Sequence, residues 1–444
     1  MNNVHRLVDI PQYRIDVVRT ARANAAMNPG TRPRRFGPAL IALCVCVHPV
    51  AAVELSTLLP SGSLSTEDAF GFASAASMTR YAVAAPGENN ARGAVYVFDC
   101  GVEACALDAK LVVAGLAEGA RFGSAIALEG DRLAVAAPTS GIGEVFVYTR
   151  GVNGWTDPPQ IIPGQVFGSG GRFGVSLALS VDTLVVGADD QEGLRGVAYV
   201  WRELAGKWTP EQTLRPNDRV GGDRFGSAVA LSGDTALVAS PYAKAGTGNS
   251  SYARGEVAVF TRSGAVWTRT QVLRAVTAAT RNRFGFALDL DGDHAVIGAP
   301  GADDGDGRVY AYARSAGTFS PQSDWAPANA HGGDQFGWSI ALSGERLLVS
   351  APFSGFAIDE CGRVESYRRV GAAYVPTGAL LTRTTHETAL FGWSLALGTP
   401  GEFATTPTPI NGTGLAHHYN AAESMFDDAF EIPLGPCFAP DIVP

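Results

Sequence analysis

The sequence predicts an all-β protein, a seven-bladed β-propeller of four-stranded antiparallel blades whose last blade is completed by an N-terminal strand. Three observations carry this reading. Phe-Gly recurs at Phe70, Phe122, Phe173, Phe225, Phe284, Phe336 and Phe391, at spacings of 52, 51, 52, 59, 52 and 55 residues, and a fixed period of that length marks a repeat architecture. Sixteen residues after each phenylalanine stands Pro86, Pro138, Asp189, Pro241, Pro300, Pro352 or Pro407. The 444 residues include 53 glycines and 26 prolines, and no long apolar pattern of helical period follows residue 53. Short strands and turns are therefore expected, with almost no helix.

Each unit supplies its strands in the same order. The second strand is the apolar run that ends at the proline, as in LAVAAP, ALVASP and AVIGAP, and the third is an alternating segment opened by glycine, as in GAVYVF, GEVFVY and GRVYAY. A fourth strand follows a turn, as in KWTPEQTL, and an apolar residue stands eleven positions before every Phe: Leu59, Leu111, Ile162, Leu214, Leu273, Trp325 and Leu380. The segment VELSTLLP (residues 53–60) precedes the first Phe, while the seventh unit stops after its third strand near Tyr419. The chain thus begins with the strand its end lacks, and a ring that pairs the two leaves no long sheet edge exposed.

Seven copies of FG followed at fixed spacing by a GAP-type run resemble the FG-GAP repeats of the integrin alpha-subunit propeller and of secreted bacterial relatives. The resemblance covers residues 53–420 and implies a propeller that receives its ligands on the face carrying the second-to-third loops and the blade-to-blade connections. Strand alternation places these two sets of segments on one face independently of the resemblance. The offset from the proline or aspartate to the glycine of strand three is 7, 5, 7, 14, 7, 10 and 7 residues, so variation concentrates there, where binding residues on rigid scaffolds usually sit.

Residues 1–52 read as an N-terminal extension and signal peptide, with RPRR at Arg32–Arg35 before the apolar FGPALIALCVCVHPVAA and cleavage expected after Ala52. A start at Met27 would give a more ordinary signal. The apolar core is shorter than the roughly 20 residues a membrane span needs, so no membrane span is expected and the protein is expected to be exported, to the cell surface, periplasm or medium. Residues 421–444 form a C-terminal tail. Seven arginines and two aspartates fall in residues 1–52, which leaves 27 basic against 41 acidic side chains in the mature chain. That surface repels nucleic acid. Three lysines beside 31 arginines suggest a GC-rich bacterial genome. A monomer is expected.

Cys100, Cys105, Cys361 and Cys437 remain after cleavage, an even number suited to an oxidising compartment. Four cysteines allow three pairings; the favoured one joins Cys100 to Cys105 across a four-residue turn and leaves Cys361 to strap the tail through Cys437. So short a loop gains about 2 kcal/mol from its bridge.

Candidate chemistry is sparse. In LDLDGDHAVIGAP, Asp289, Asp291 and Asp293 alternate before a strand; Asp293 takes the position of Asp131, Asp182, Asp234 and Glu345 in other units, which reads as a turn residue. Asp303, Asp304 and Asp306 form a second acidic cluster one strand away, some 17 Å from the first at roughly 3.3 Å per residue. Both are candidate Ca2+ sites, although calcium wants six to eight oxygens and no unit carries the longer Asp/Asn-rich insert of integrin calcium loops. No cofactor is required by anything in the sequence. The histidines His294, His331, His386, His417 and His418 lie beside no nucleophile motif, and the last two should face opposite sides of a strand. The longest insertion, YAKAGTGNSSYAR (residues 242–254), offers Tyr242, Lys244, Asn249, Tyr252 and Arg254 among small residues, a composition suited to adaptable contacts. Trp338 and Trp393 are expected to pack between blades, and Trp208 and Trp267 to cover outer blade surfaces. The function these features favour is an exported, non-catalytic, adhesion-type propeller that binds a protein or surface polysaccharide through the loop face. The alternative is a carbohydrate-active enzyme or lectin with its site in the propeller funnel.

Overall fold

In the computed structural model, described over residues 50–52, 54–58, 66–101, 104–165, 171–244, 254–276, 281–327, 332–354, 362–380, 390–399, 401–407 and 414–420, seven antiparallel sheets form a ring. Blade one runs Ser74–Ser77, Arg80–Ala85, Ala94–Cys100 and Cys105–Leu111. Blade three is Ser176–Ser180, Thr183–Ala188, Val197–Leu204 and Lys207–Leu214, blade four Val229–Ser232, Thr235–Ser240, Glu256–Ser263 and Val266–Leu273, and blade five Leu288–Asp291, His294–Ala299, Arg308–Ser315 and Thr318–Trp325. Blade two begins alike, with Ala125–Glu129, Arg132–Ala137 and Glu144–Gly151, but its fourth strand is split into Gly154–Trp155 and Gln160–Pro163 around a cis Asp157–Pro158 bond. Blade six holds Ile340–Ser343, Arg346–Ala351, Arg363–Val370 and Ala373–Leu380, with Val50–Ala52 added in parallel beside the last. Blade seven combines Leu395–Leu397, Gly401–Thr406 and Leu415–Asn420 with Glu54–Leu58, which lies antiparallel to Leu415–Asn420. First strands of neighbouring blades touch in a cycle that includes the pair of blades seven and one. Among the described residues, helix is limited to turns of three or four residues.

The core sits between the blades. Seven apolar clusters each join two neighbouring blades, from Val97 with Leu133 at the first junction to Phe98 with Phe403 at the last. Both faces of a sheet are therefore covered, and a strand's alternation separates two neighbours rather than core from solvent. This corrects the expectation for Trp208 and Trp267: both are buried, Trp208 against blade two and Trp267 against blade three.

The motif residues hold these junctions. All seven FG phenylalanines are at most 2 % exposed, and in six blades the ring meets a third-strand aromatic edge to face, with centroids 5.3–6.3 Å apart. The glycine after each Phe has φ between 88° and 98°, and its N–H donates to a carbonyl of the second strand two residues before the motif proline or aspartate, such as Ala84, Gly187 or Ser350. FG is thereby clamped to the GAP strand of its own blade. The glycine that opens strand three serves the next junction. A Cβ there would lie 1.7–2.2 Å from the carbonyl oxygen of the following blade's Phe, at Gly93, Gly143, Gly196, Gly255, Gly307, Gly362 and Gly414. Gly414 meets Phe70, so the seventh junction joins the ring's end to its beginning.

Blade seven differs in having a polar interior: Glu402, Thr405, Thr406, His417 and His418 are buried. Burial raises the Glu402 carboxyl to about 7, with Arg346 of blade six pulling the other way. Its folded pKa thus lies above its unfolded value, so this contribution to stability is full below about pH 4.5 and is lost as pH rises through about 7. Glu402→Gln is expected to flatten that fall. Chemical denaturation at about pH 5 and pH 8 should show the variant gaining on the parent by roughly 1–3 kcal/mol at the higher value.

Candidate ligand-binding face

Antiparallel pairing puts the blade-to-blade connections and second-to-third loops on one face, around the mouth of the central channel. Two positions flanking each FG converge there. The residue before the Phe has a left-handed backbone in every blade, at Ala69, Arg121, Arg172, Arg224, Arg283, Gln335 and Leu390, with φ of 50–57°. Four consecutive blades, two to five, place arginine at this position. The residue two after the Phe is Phe72, Ser124, Val175, Ser227, Phe286, Trp338 or Trp393, so the consecutive blades five, six, seven and one place aromatics here. One half of the mouth is cationic and the other aromatic, overlapping at blade five.

The aromatic half is continuous. Centroid separations are 4.7 Å for Phe286–Trp338, 5.0 Å for Trp338–Trp393 and 6.2 Å for Trp393–Phe72, and Phe353 stands 5.1 Å from Trp338. All five rings are half-buried. Trp338 and Trp393 meet across the boundary of blades six and seven, as expected, but at the mouth, where part of each remains exposed. An arginine caps each end of the arc: Arg121 lies 5.7 Å from the Phe72 ring and Arg283 lies 5.3 Å from that of Phe286. Arg283 also donates to Gln335 Oε1 at 3.0 Å. Among the described residues neither arginine has a carboxylate partner. Arg172 and Arg224 instead flank Asp189 at 3.4 and 3.3 Å. Asp189 is the residue that replaces proline in the third unit, and it is 4 % exposed.

Of the residues picked from the long insertion, Tyr242 joins this face, its ring 5.5 Å from the Arg224 guanidinium. Lys244 is exposed near Asp223 and favours that residue's ionised form, against burial, which pushes the carboxyl up. Arg254 works through its backbone: its N–H donates to the Ala243 carbonyl at 3.1 Å and its own carbonyl accepts from Phe284 N–H at 3.0 Å. Asn249 and Tyr252 lie outside the described residues.

The candidate acidic residues among the described residues are engaged one by one in turns and ion pairs. Asp289 accepts the N–H of Leu290 and that of Leu342 in blade six, both at 2.8 Å, while burial pushes its carboxyl up to about 6. Asp291 accepts Gly344 N–H at 2.6 Å, as the hydroxyls of Ser77 and Ser232 accept those of Gly130 and Gly292 in the following blades. Its recurring task is to bracket neighbouring first-to-second turns. Asp293 pairs with Arg314 at 2.7 Å, and its carbonyl accepts Arg314 N–H, matching Asp234 with Arg262. In the other cluster Arg308 holds Asp303 at 2.9 Å and Asp324 at 2.6 Å. Asp303 and Asp304 adopt φ of 51° and 59°, as Asn89 and Asn90 do in blade one, a conformation that Asn and Asp tolerate well. Asp306 contributes its carbonyl to Phe336 N–H at 2.9 Å. Among the described residues the single group of three potential metal ligands in mutual reach is Cys100, Cys105 and His418.

Cys100 and Cys105 form a disulfide, so the two sulfurs of that group are joined to each other. Cys361 and Cys437 lie outside the described residues, as do His331, His386 and residues 421–444. His417 and His418 face opposite ways, one edge-on to Phe391 and the other to Tyr81 of blade one, each at 5.6 Å. No helix among the described residues is long and apolar enough to cross a membrane.

Fold and repeat together define a closed all-β propeller in which FG clamps each blade internally and the glycine of strand three seats the next. The family model of the FG-GAP repeat matches residues 208–260, 267–312 and 322–375; each match starts in the fourth strand of one blade, the first two end in the third strand of the next blade, and the last runs on into the fourth strand of blade six. These matches identify three FG-GAP repeats within a seven-bladed β-propeller. No curated protein matches the sequence.

Proposed function

We propose that this propeller is an exported binding module, adhesion-type like the integrin alpha-subunit propeller it resembles, which holds a protein or surface polymer on its loop face without transforming it. The supporting observation is the arc of half-buried rings from Phe286 through Trp338 and Trp393 to Phe72. Large aromatics left partly in water on a rigid rim are the side chains that dominate binding energies once a partner covers them. Of the described histidines, His417 and His418 are buried inside the seventh blade and His294 sits at the turn end of blade five, away from this arc.

Retention on a printed array of polysaccharides and folded proteins tests this reading. The parent protein is expected to be retained on at least one class, and Trp338→Ala with Trp393→Ala to weaken that retention about tenfold or more. The array polymers should stay intact. Release of cleaved polymer would favour the funnel enzyme instead, and equal retention of the variant would overturn the assignment of the face.

A further inference from the structure

Resting on that reading, we infer that the ligand is an anionic polysaccharide, which lays sugar rings on the arc from Phe286 to Phe72 while Arg121 and Arg283 take its acidic groups. The argument starts from the shape of the arc. Its rings meet one another at 4.7–6.2 Å with tilts of 46–75°, so they form a faceted platform and leave no slot between them. Protein partners are anchored by single side chains that fill pockets, which a closed platform does not offer. The flat C–H face of a pyranose needs only an exposed π-surface, and several successive sugars can use several successive rings.

Charge supplies the second half. Most of the acidic chain's described arginines are already spent on carboxylates, such as Arg308 on Asp303 and Asp324 or Arg262 on Asp234. At the mouth, Arg121 and Arg283 stand at the two ends of the platform with no carboxylate among the described residues. Guanidinium forks match carboxylate and sulfate oxygens alike, so a polymer carrying repeated acidic groups engages both ends while its rings span the middle. Asp189 limits the charge beyond Arg121 by occupying Arg172 and Arg224, and that makes it the adjustable element.

Affinity of the full mature chain for four soluble polymers tests the proposal: alginate (carboxylated), dextran sulfate (sulfated), dextran (neutral) and poly-glutamate (an acidic peptide). Alginate or dextran sulfate should bind, and the better of the two identifies the acidic group. Binding should weaken about tenfold or more in Arg121→Gln with Arg283→Gln and fall steeply at about 0.5 M salt. Asp189→Asn, which frees two arginines, should strengthen it several-fold. Arg368→Gln, at an exposed pair with Glu345 on the opposite face, should change nothing. The two arginine side chains at the mouth are not buried, so an unchanged melting curve separates lost binding from lost fold. Equal binding of dextran, or preference for poly-glutamate, would overturn the polysaccharide inference and leave the binding-module reading standing. Binding of no polymer, or binding indifferent to all mouth variants, would overturn the inference; the array result then decides the broader reading.

Discussion

Gly307→Ala is expected to cost roughly 3 kcal/mol or more, whereas Gly317→Ala in the same blade is expected to cost about 1 kcal/mol. Both glycines have positive φ, 91° and 80°, so the penalty for placing an L-residue in that conformation is shared. They differ in what a methyl group meets. At Gly317 nothing lies within 4 Å, while at Gly307 the new carbon would fall 2.1 Å from the Phe336 carbonyl oxygen and 2.3 Å from its nitrogen. Relief requires the blade-six backbone to retreat, which breaks the 2.9 Å bond from Phe336 N–H to the Asp306 carbonyl and lifts a fully buried ring from its seat. Equilibrium denaturation of the two variants is the measurement. Equal losses would mean that the strand-three glycine is a conformational convenience and not the contact that spaces the blades.

Removal of residues 53–58 is expected to destabilise the protein by at least about 3 kcal/mol and to make it prone to aggregation. Glu54–Leu58 pairs with Leu415–Asn420, and without it that strand, carrying buried Ala416, His417, His418 and Tyr419, becomes a long edge. A synthetic peptide of residues 53–60 added in trans should restore part of the lost melting temperature, by the logic of strand addition to an open edge. Truncation after Ala52, at the expected cleavage point, is a sharper comparison. It removes Val50–Ala52 from beside blade six while sparing the strand of blade seven, and is expected to leave stability nearly intact. If instead the chain lacking residues 53–58 melts like the parent, the ring does not depend on the strand Glu54–Leu58.

The blade count, strand order and motif positions are legible in the sequence because they are imposed by backbone. A glycine at which a Cβ would strike a neighbouring carbonyl cannot drift, and neither can a Phe seated at a junction, so seven copies stay recognisable while the remainder of each blade varies. Asp293 was legible as a turn residue for the same reason, through its counterparts in other blades. Asp291 was not, since its partner Gly344 lies 53 residues away in blade six and a lone acidic triplet reads as a cation loop. Trp208 and Trp267 are not legible as junction residues, because a strand of the sequence does not show that its sheet is covered on both sides. The aromatic arc and its arginines were missed although the signal was present. Aligning the seven units and reading the columns before and after FG shows arginine in four consecutive blades and aromatics in four consecutive blades; taken one at a time, Trp338 reads as a packing residue between blades and Arg283 as an ordinary loop residue.

The contact between Gly414 and Phe70 repeats the geometry of the other six junctions. A wheel whose spokes are all seated through the same glycine contact has no structural first spoke. Rejoining the two termini with a linker and cutting instead at another rim hairpin should yield the same wheel.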